Sequence, residues 1–388
     1  MHPSPVLTSP ILTRREPIPE PTLLSLANET LALVAGGLYS TSAHLSSFML
    51  VCRRAALAAE HVRYSALTIS GNQGRRLLTT LLSGTITTHR YRSMVHRVWY
   101  RGWADTDMHL NASLLSELLP LLSNVMALWL DANPLDTMYL MERLRKHGLV
   151  RERLHPAFVL SDMSTSSPYS PWTMHNLQHV RLTGDPVMAG IAFNRRLVSL
   201  DLSHVLDHDE FANFITGAED SLLGLKTLSI KLEKTITILP AFPLISDTFP
   251  NLRNLSLEQK SLVVKDVLQY LATPNELFGN LQTLALNRIY SYRIPRWGAV
   301  FPYTGLTRAQ MEVEVAQVAV HHKTVSCIGV GCDVFEMGRG CEFERRTLRY
   351  PEIDYWSSIF GRELELVRFV GTPLHIIPQP VGPDWVSI

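Results

Sequence analysis

Cysteine is scarce in this chain of 388 residues: only Cys52, Cys327, Cys332 and Cys341 occur. That is too few for a disulfide framework at this length. No Cys-x-x-Cys pair is present, so a thiolate zinc site lacks its usual spacing. Long apolar runs are missing too. No stretch approaches the roughly 18 residues that a membrane-spanning helix requires, and the first 30 residues hold no apolar core of a secretory signal. These absences predict a cytosolic or nuclear setting and no membrane partner. Charge is thin, with 18% charged residues and a net charge of +1, which gives no global reason to expect nucleic acid. Catalytic signatures are absent as well. Gly329-Val330-Gly331 lacks the third glycine of a dinucleotide fingerprint, and no phosphate-loop lysine follows it. There is no Gly-x-Ser-x-Gly elbow, paired-histidine zinc helix or kinase signature. We therefore expect no enzyme, no cofactor and no metal.

What is present is apolar: 46% of the residues are hydrophobic, enough to bury a large core. Residues 1–22 are the exception. Pro3, Pro5, Pro10, Pro17, Pro19 and Pro21 interrupt a segment with few large apolar groups, which predicts a disordered tail. From residue 23 to 69 the character changes. Leu26, Thr30, Leu33 and Val34 recur at helical spacing, and Gly36-Gly37 stops the run near Leu38. Ser40-Thr41-Ser42 then offers a cap for a second helix, whose stripe is Leu45, Phe48, Met49 and Cys52, continued by Ala55, Ala56 and Ala59. A strand follows at Ala66 to Ile69.

Beyond this point one phrase returns: apolar, two variable residues, apolar, one variable residue, apolar. It reads Val125-Leu128-Leu130, Leu177-Val180-Leu182, Leu197-Leu200-Leu202, Leu225-Leu228-Ile230, Leu252-Leu255-Leu257 and Leu281-Leu284-Leu286. Weaker copies are Tyr64-Leu67-Ile69, Val95-Val98-Tyr100 and Val325-Ile328-Val330. The leucines at 197, 225, 252 and 281 lie 28, 27 and 29 residues apart, the spacing of leucine-rich repeats. The last two apolar positions share one face of a strand. Stacked copies form a parallel sheet with a continuous core, and parallel neighbours need returning connections. Helical stripes fill several gaps: Val264, Val267, Leu268 and Leu271; Met311, Val315 and Val318 behind a Thr307–Gln310 capping box; and Leu135, Met138, Met141 and Leu144, ending at Lys146-His147-Gly148.

The expected fold is therefore α/β, a leucine-rich-repeat solenoid over residues 70–388 with the parallel sheet on its concave face and helices outside. The repeats are irregular. Of the asparagine or cysteine positions three residues past the last apolar one, only Asn133 fits; the others are Asp185, Val205, Glu233, Lys260 and Ile289. The wide gap from Val125 to Leu177 leaves room for a degenerate copy near Phe158–Leu160. Past Val330 the register fades, and Tyr355, Trp356, Phe360, Leu364, Leu366 and Val367 suggest a capping unit.

Residues 26–69 resemble an F-box followed by the start of a repeat array. The likeness rests on Leu26-Ala27-Asn28-Glu29, Val34, Leu38, Leu45, Phe48, Val51-Cys52-Arg53-Arg54 and Tyr64-Ser65-Ala66-Leu67-Thr68-Ile69. Ala27 stands where the family usually has proline, and Ala55 where it has an aromatic residue. The resemblance implies a substrate receptor of a cullin-based ubiquitin ligase. Leu26, Val34, Leu38, Leu45, Phe48, Leu50 and Val51 would supply contacts to a Skp-type adaptor, or internal contacts behind them, while the solenoid selects a protein target. A repeat scaffold with no ligase role is the other reading.

On a solenoid, the positions alternating with the core leucines face a partner. These are Trp129, Asp131, His179, Arg181, Thr183, Asp201, Ser203, Lys231, Asn254, Glu258 and Asn287, with Trp129 and Arg181 the expected anchors. Three other features have plainer explanations. The arginines at 53, 54, 63, 75, 76, 90, 92, 97 and 101, against the single acid Glu60, suit an acidic or phosphate partner but also ordinary solvated faces. His321 and His322 near Cys327, Cys332 and Cys341 fit buried structural cysteine better than metal. Asp207-His208-Asp209 fits a helix start better than an acid–base pair.

Overall fold

The computed structural model describes residues 26–38, 42–102, 110–150, 174–193, 195–219, 221–260, 262–273, 277–286, 306, 308–330, 333–338 and 343–347. The proline-rich stretch 1–22, the degenerate copy at 158–160, Asn287, Thr307, Cys332, Cys341 and the C-terminal aromatic stretch lie outside them. The chain divides into two units, residues 1–60 and 61–388.

The first unit holds helix α1 (Asn28–Leu38), helix α2 (Ser42–Met49) and the start of helix α3 (Arg53–Ser65). Two i→i+3 bonds, Leu50 N to Ser47 O and Val51 N to Phe48 O, close α2 in a tight final turn. Residues 50–52 thus separate α2 from α3, and the expected single stripe from Leu45 to Ala59 belongs to two helices. The Cys52 sulfur accepts a 3.3 Å bond from Ala55 N and opens α3. The Arg54 guanidinium donates to Leu26 O at 2.6 Å and to Asn28 Oδ1 at 2.9 Å, tying the two helix starts together. The buried apolar side chains are Leu31, Ala35, Leu45, Phe48, Ala55 and Ala59. This corrects the face expected for α1: Leu31 and Ala35, one turn apart, turn inward, whereas Leu33 and Val34 are exposed.

The second unit is built on a sheet of eleven strands in sequential order. They are β1 (Ala66–Ile69), β2 (Arg97–Arg101), β3 (Ala127–Asp131), β4 (His179–Thr183), β5 (Ser199–Leu206), β6 (Thr227–Leu232), β7 (Asn254–Glu258), β8 (Thr283–Leu286), β9 (Cys327–Val330), β10 (Asp333–Met337) and β11 (Phe343–Thr347). Strands β1 to β9 pair in parallel. Strands β10 and β11 add antiparallel pairs at the β9 edge, a hairpin that the fading apolar phrase does not announce.

Each parallel strand carries one copy of that phrase, the weaker ones included. In register, Leu67, Val98, Leu128, Val180, Leu200, Leu228, Leu255, Leu284 and Ile328 form one row, and Ile69, Tyr100, Leu130, Leu182, Leu202, Ile230, Leu257, Leu286 and Val330 another. All of them belong to one core with the inward stripes of the connecting helices.

Those connections are α4 (Gly71–Leu82) and α5 (Ile86–Met94), α6 (Leu110–Leu118), α7 (Pro134–Lys146), a 3-10 turn at Pro186–Ile191, α8 (His208–Ala218), α9 (Ile238–Thr248), α10 (Val264–Leu271) and α11 (Arg308–His321). On α10 the four expected residues are all buried, as are Met311, Val315 and Val318 on α11. On α7 the stripe is rotated: Thr137, Leu140, Met141 and Leu144 are buried, while Leu135 and Met138 are exposed. Gly148 beyond its end has a φ of 68°, a left-handed stop that glycine adopts without a Cβ clash.

Polar side chains close the turns after the strands. Asn133 Oδ1 accepts from Leu135 N at 3.1 Å, and Asp185 Oδ1 from Val187 N at 2.9 Å. Strand β5 holds two extra residues, Ser203 and His204, opposite β6. Asp207, not Val205, therefore takes the equivalent place, and it forms a reciprocal capping box with Glu210. Gln259 donates to Glu233 O and Ile236 O, both at 2.7 Å. Among the described residues no helix is long and apolar enough to cross a membrane.

Candidate binding face

Side chains that alternate with the core rows stand on the other face of the sheet. One row crosses it as Thr68, Trp99, Trp129, Arg181, Asp201, Ser229, Ser256, Ala285 and Gly329. It begins as a ladder of aromatic and charged groups. The Arg101 guanidinium lies 5.1 Å from the Trp99 ring centre. Trp99 stacks on Trp129 with 4.2 Å between centroids and 12° between planes. Arg181 covers the other side of Trp129 at 4.3 Å, and its Nε lies 3.4 Å from Asp201 Oδ2. Ser203 Oγ donates to Asp201 Oδ1 at 3.2 Å. Parallel strands spaced about 4.8 Å apart set the stacking distance directly. Cation–π contact holds the two guanidinium groups over the rings.

Asp201 is 2% exposed, so the carboxylate that neutralises Arg181 is enclosed. Lys231 and Glu258, cross-strand partners on β6 and β7, form a 3.1 Å ion pair. Small residues follow: Ser229, Ser256 and Ala285 leave the later part of this row without reach. Asn254 Nδ2 donates to Thr227 Oγ1 at 3.0 Å along a flanking row.

Of the residues expected to meet a target, Trp129, Arg181 and Asp201 are thus brought into contact. Asp131 and Thr183 are cross-strand neighbours, Lys231 and Glu258 form a second pair, and His179 is a buried member of the flanking row. Arg97 and Arg101, read only as members of the basic run, share this face with Trp99, which the expected set leaves out. Their strand carries the weak copy Val95-Val98-Tyr100, in which tyrosine replaces the last leucine. The signal was the alternation Arg97-x-Trp99-x-Arg101.

In the first unit, Leu45 and Phe48 are core residues, Leu26 and Leu38 are half-buried, and Val34, Leu50 and Val51 are exposed. Leu33, outside the expected set, joins the exposed group.

Asp207 is a cap. His322 is buried, and its Nε2 lies 2.9 Å from Leu271 O; burial lowers its pKa. Cys327 is a buried thiol. No group of three or more potential ligands gathers among the described residues. A cavity of about 470 Å³ lies between the 3-10 turn and α8, lined by Val187, Phe193, Leu206 and Phe214 with Arg145 and Glu210 as its charged residues. Glu210 is already engaged in the capping box.

No family model matches the chain, and no curated protein matches it.

Proposed function

We propose that the chain is a leucine-rich-repeat solenoid acting as the substrate-recognition subunit of a Skp–cullin–F-box ubiquitin ligase. The helical unit docks a Skp-type adaptor and, through it, a cullin. The sheet face described above binds a protein target through Trp129, Asp131, Arg181, Lys231 and Glu258, with the buried Asp201 and His179 supporting them. The role is one of binding, in the cytoplasm or nucleus.

One observation carries the adaptor half of this reading. A helical unit with six buried apolar residues, three of them alanine, still presents Leu33, Leu50 and Val51 outward at 78%, 88% and 53% exposure. Apolar groups left this open are available to a docking partner. The order of nine parallel strands with one leucine face and one Trp/Arg/Asp face supports the target-binding half.

Capture of a purified Skp-type adaptor by the full chain is the test. Leu50→Asp together with Val51→Asp is expected to abolish capture while leaving the circular dichroism spectrum unchanged. Leu45→Asp and Phe48→Asp are expected to lose it through unfolding, because a charge would enter the core. If the wild-type chain captures no adaptor, the scaffold reading replaces this one. That second reading draws on the same helices: Leu45 and Phe48, which the resemblance assigns to the adaptor or its support, are spent on internal packing.

A further inference from the structure

We infer that the β2 end of the sheet face takes an extended, acid-rich segment of the target. This deepens the target-binding reading and rests on it. Arg97, Trp99 and Arg101 alternate along β2 and so stand on one face. The Arg97 and Arg101 side chains are half-buried, and neither guanidinium has a hydrogen bond or ion pair among the described residues; that of Arg101 has only its contact with Trp99. The face's other cations are committed, Arg181 to Asp201 and Lys231 to Glu258.

The surroundings favour a carboxylate visitor at these two positions. Arg97 is flanked in register by Ala66 and Ala127, short side chains that leave lateral room. Arg101 lies across from Asp131 without an ion pair, its guanidinium held over Trp99 instead. Trp99 is a support, clamped between Arg101 and Trp129, and nearly buried. The arginines lie four residues apart, roughly 13 Å along the strand, and an extended peptide repeats its same-side positions every 6–7 Å or so. Carboxylates four residues apart therefore meet both arginines, with one same-side side chain between them over Trp99.

Charge distribution separates a short acidic segment from a long polyanion. Residues 61–104 contain seven arginines and no acid, yet the whole chain has 36 basic and 35 acidic residues, so the remainder carries an excess of six acids. A nucleic-acid strand running past the patch would meet that negative remainder, whereas a short peptide need not.

Fluorescence anisotropy of the full chain with a labelled peptide of alternating Asp and Ser decides the matter. The peptide is expected to bind, to weaken with added salt, and to lose on the order of tenfold in affinity with Arg97→Glu plus Arg101→Glu. The Asn-for-Asp peptide is expected to bind at least as poorly. Arg76→Glu, at an exposed position of α4, is expected to change affinity by less than about twofold. If the glutamate pair fails to fold, Arg97→Gln plus Arg101→Gln is read instead, with the same direction of change. Absence of binding, equal loss with Arg76→Glu, or tighter binding of a charge-matched single-stranded oligonucleotide overturns the inference. Adaptor capture that persists alongside such a failure leaves the receptor reading standing.

Discussion

The ring of His204 is 7% exposed, and neither of its nitrogens has a hydrogen-bond partner among the described residues. It entered this position with the two-residue bulge of β5. Burial lowers its pKa to about 4, opposed by Asp185 and Asp201 and assisted by Lys231. The unfolded chain binds a proton near 6.5 and the folded chain only near 4, so protons favour unfolding in this window. Stability from this group is intact above pH 6.5 and drains away as the pH falls toward 4, by up to roughly 3 kcal/mol. Urea melts at pH 7 and 4.5 are expected to show a smaller difference for His204→Leu than for wild type; parallel losses would exclude a buried neutral imidazole. The Arg181–Asp201 pair makes a second prediction at this scale. Arg181→Ala strands an enclosed carboxylate and is expected to cost about 3 kcal/mol. Arg181→Ala with Asp201→Ala should recover part of that, which a double-mutant cycle measures.

Helix α7 shows what elements conceal. Its apolar residues offer two stripes, Leu135-Met138-Met141-Leu144 and Thr137-Leu140-Met141-Leu144, and spacing alone does not choose. The Asn133 cap and Pro134 set the start of the helix, and the second stripe faces the core. Met141→Ala is therefore expected to cost about 2–4 kcal/mol, while Met138→Ala on the same helix should stay within about 0.5 kcal/mol by thermal or urea unfolding. Strands were readable for the opposite reason. A period of two in register with eight neighbours has one solution, because a shift by one residue would expose every leucine. That is why even Val95-Val98-Tyr100 falls into line. The ladder on the other face was only half readable: Trp129, Arg181 and Asp201 followed from the period, but Trp99 and its arginines looked like part of a diffuse basic run. Only cross-strand register puts Trp99 on Trp129. The bulge in β5 was invisible for want of any sequence mark, so Asp207, readable as a helix start, could not be matched to the position after the strand that the count put at Val205.

At the scale of the molecule the two units differ in how much they bury. The described part of residues 1–60 offers six buried apolar side chains, three of them alanine. The sheet unit runs one continuous core from Leu67 to Phe335. Small cores are marginal because burial grows faster than length, and local opening free energy follows buried contact density. Amides of α1 and α2 are therefore expected to exchange with solvent well before those of β4 to β7, with the central strands exchanging only through global unfolding. The adaptor supplies the discriminating condition. Binding stabilises whichever state it selects, so saturating adaptor should slow exchange in α1 and α2 and leave the central strands unchanged. Uniform protection of both units, or none in α1 and α2, would remove the docking role from the helical unit and leave the sheet face as the binding device.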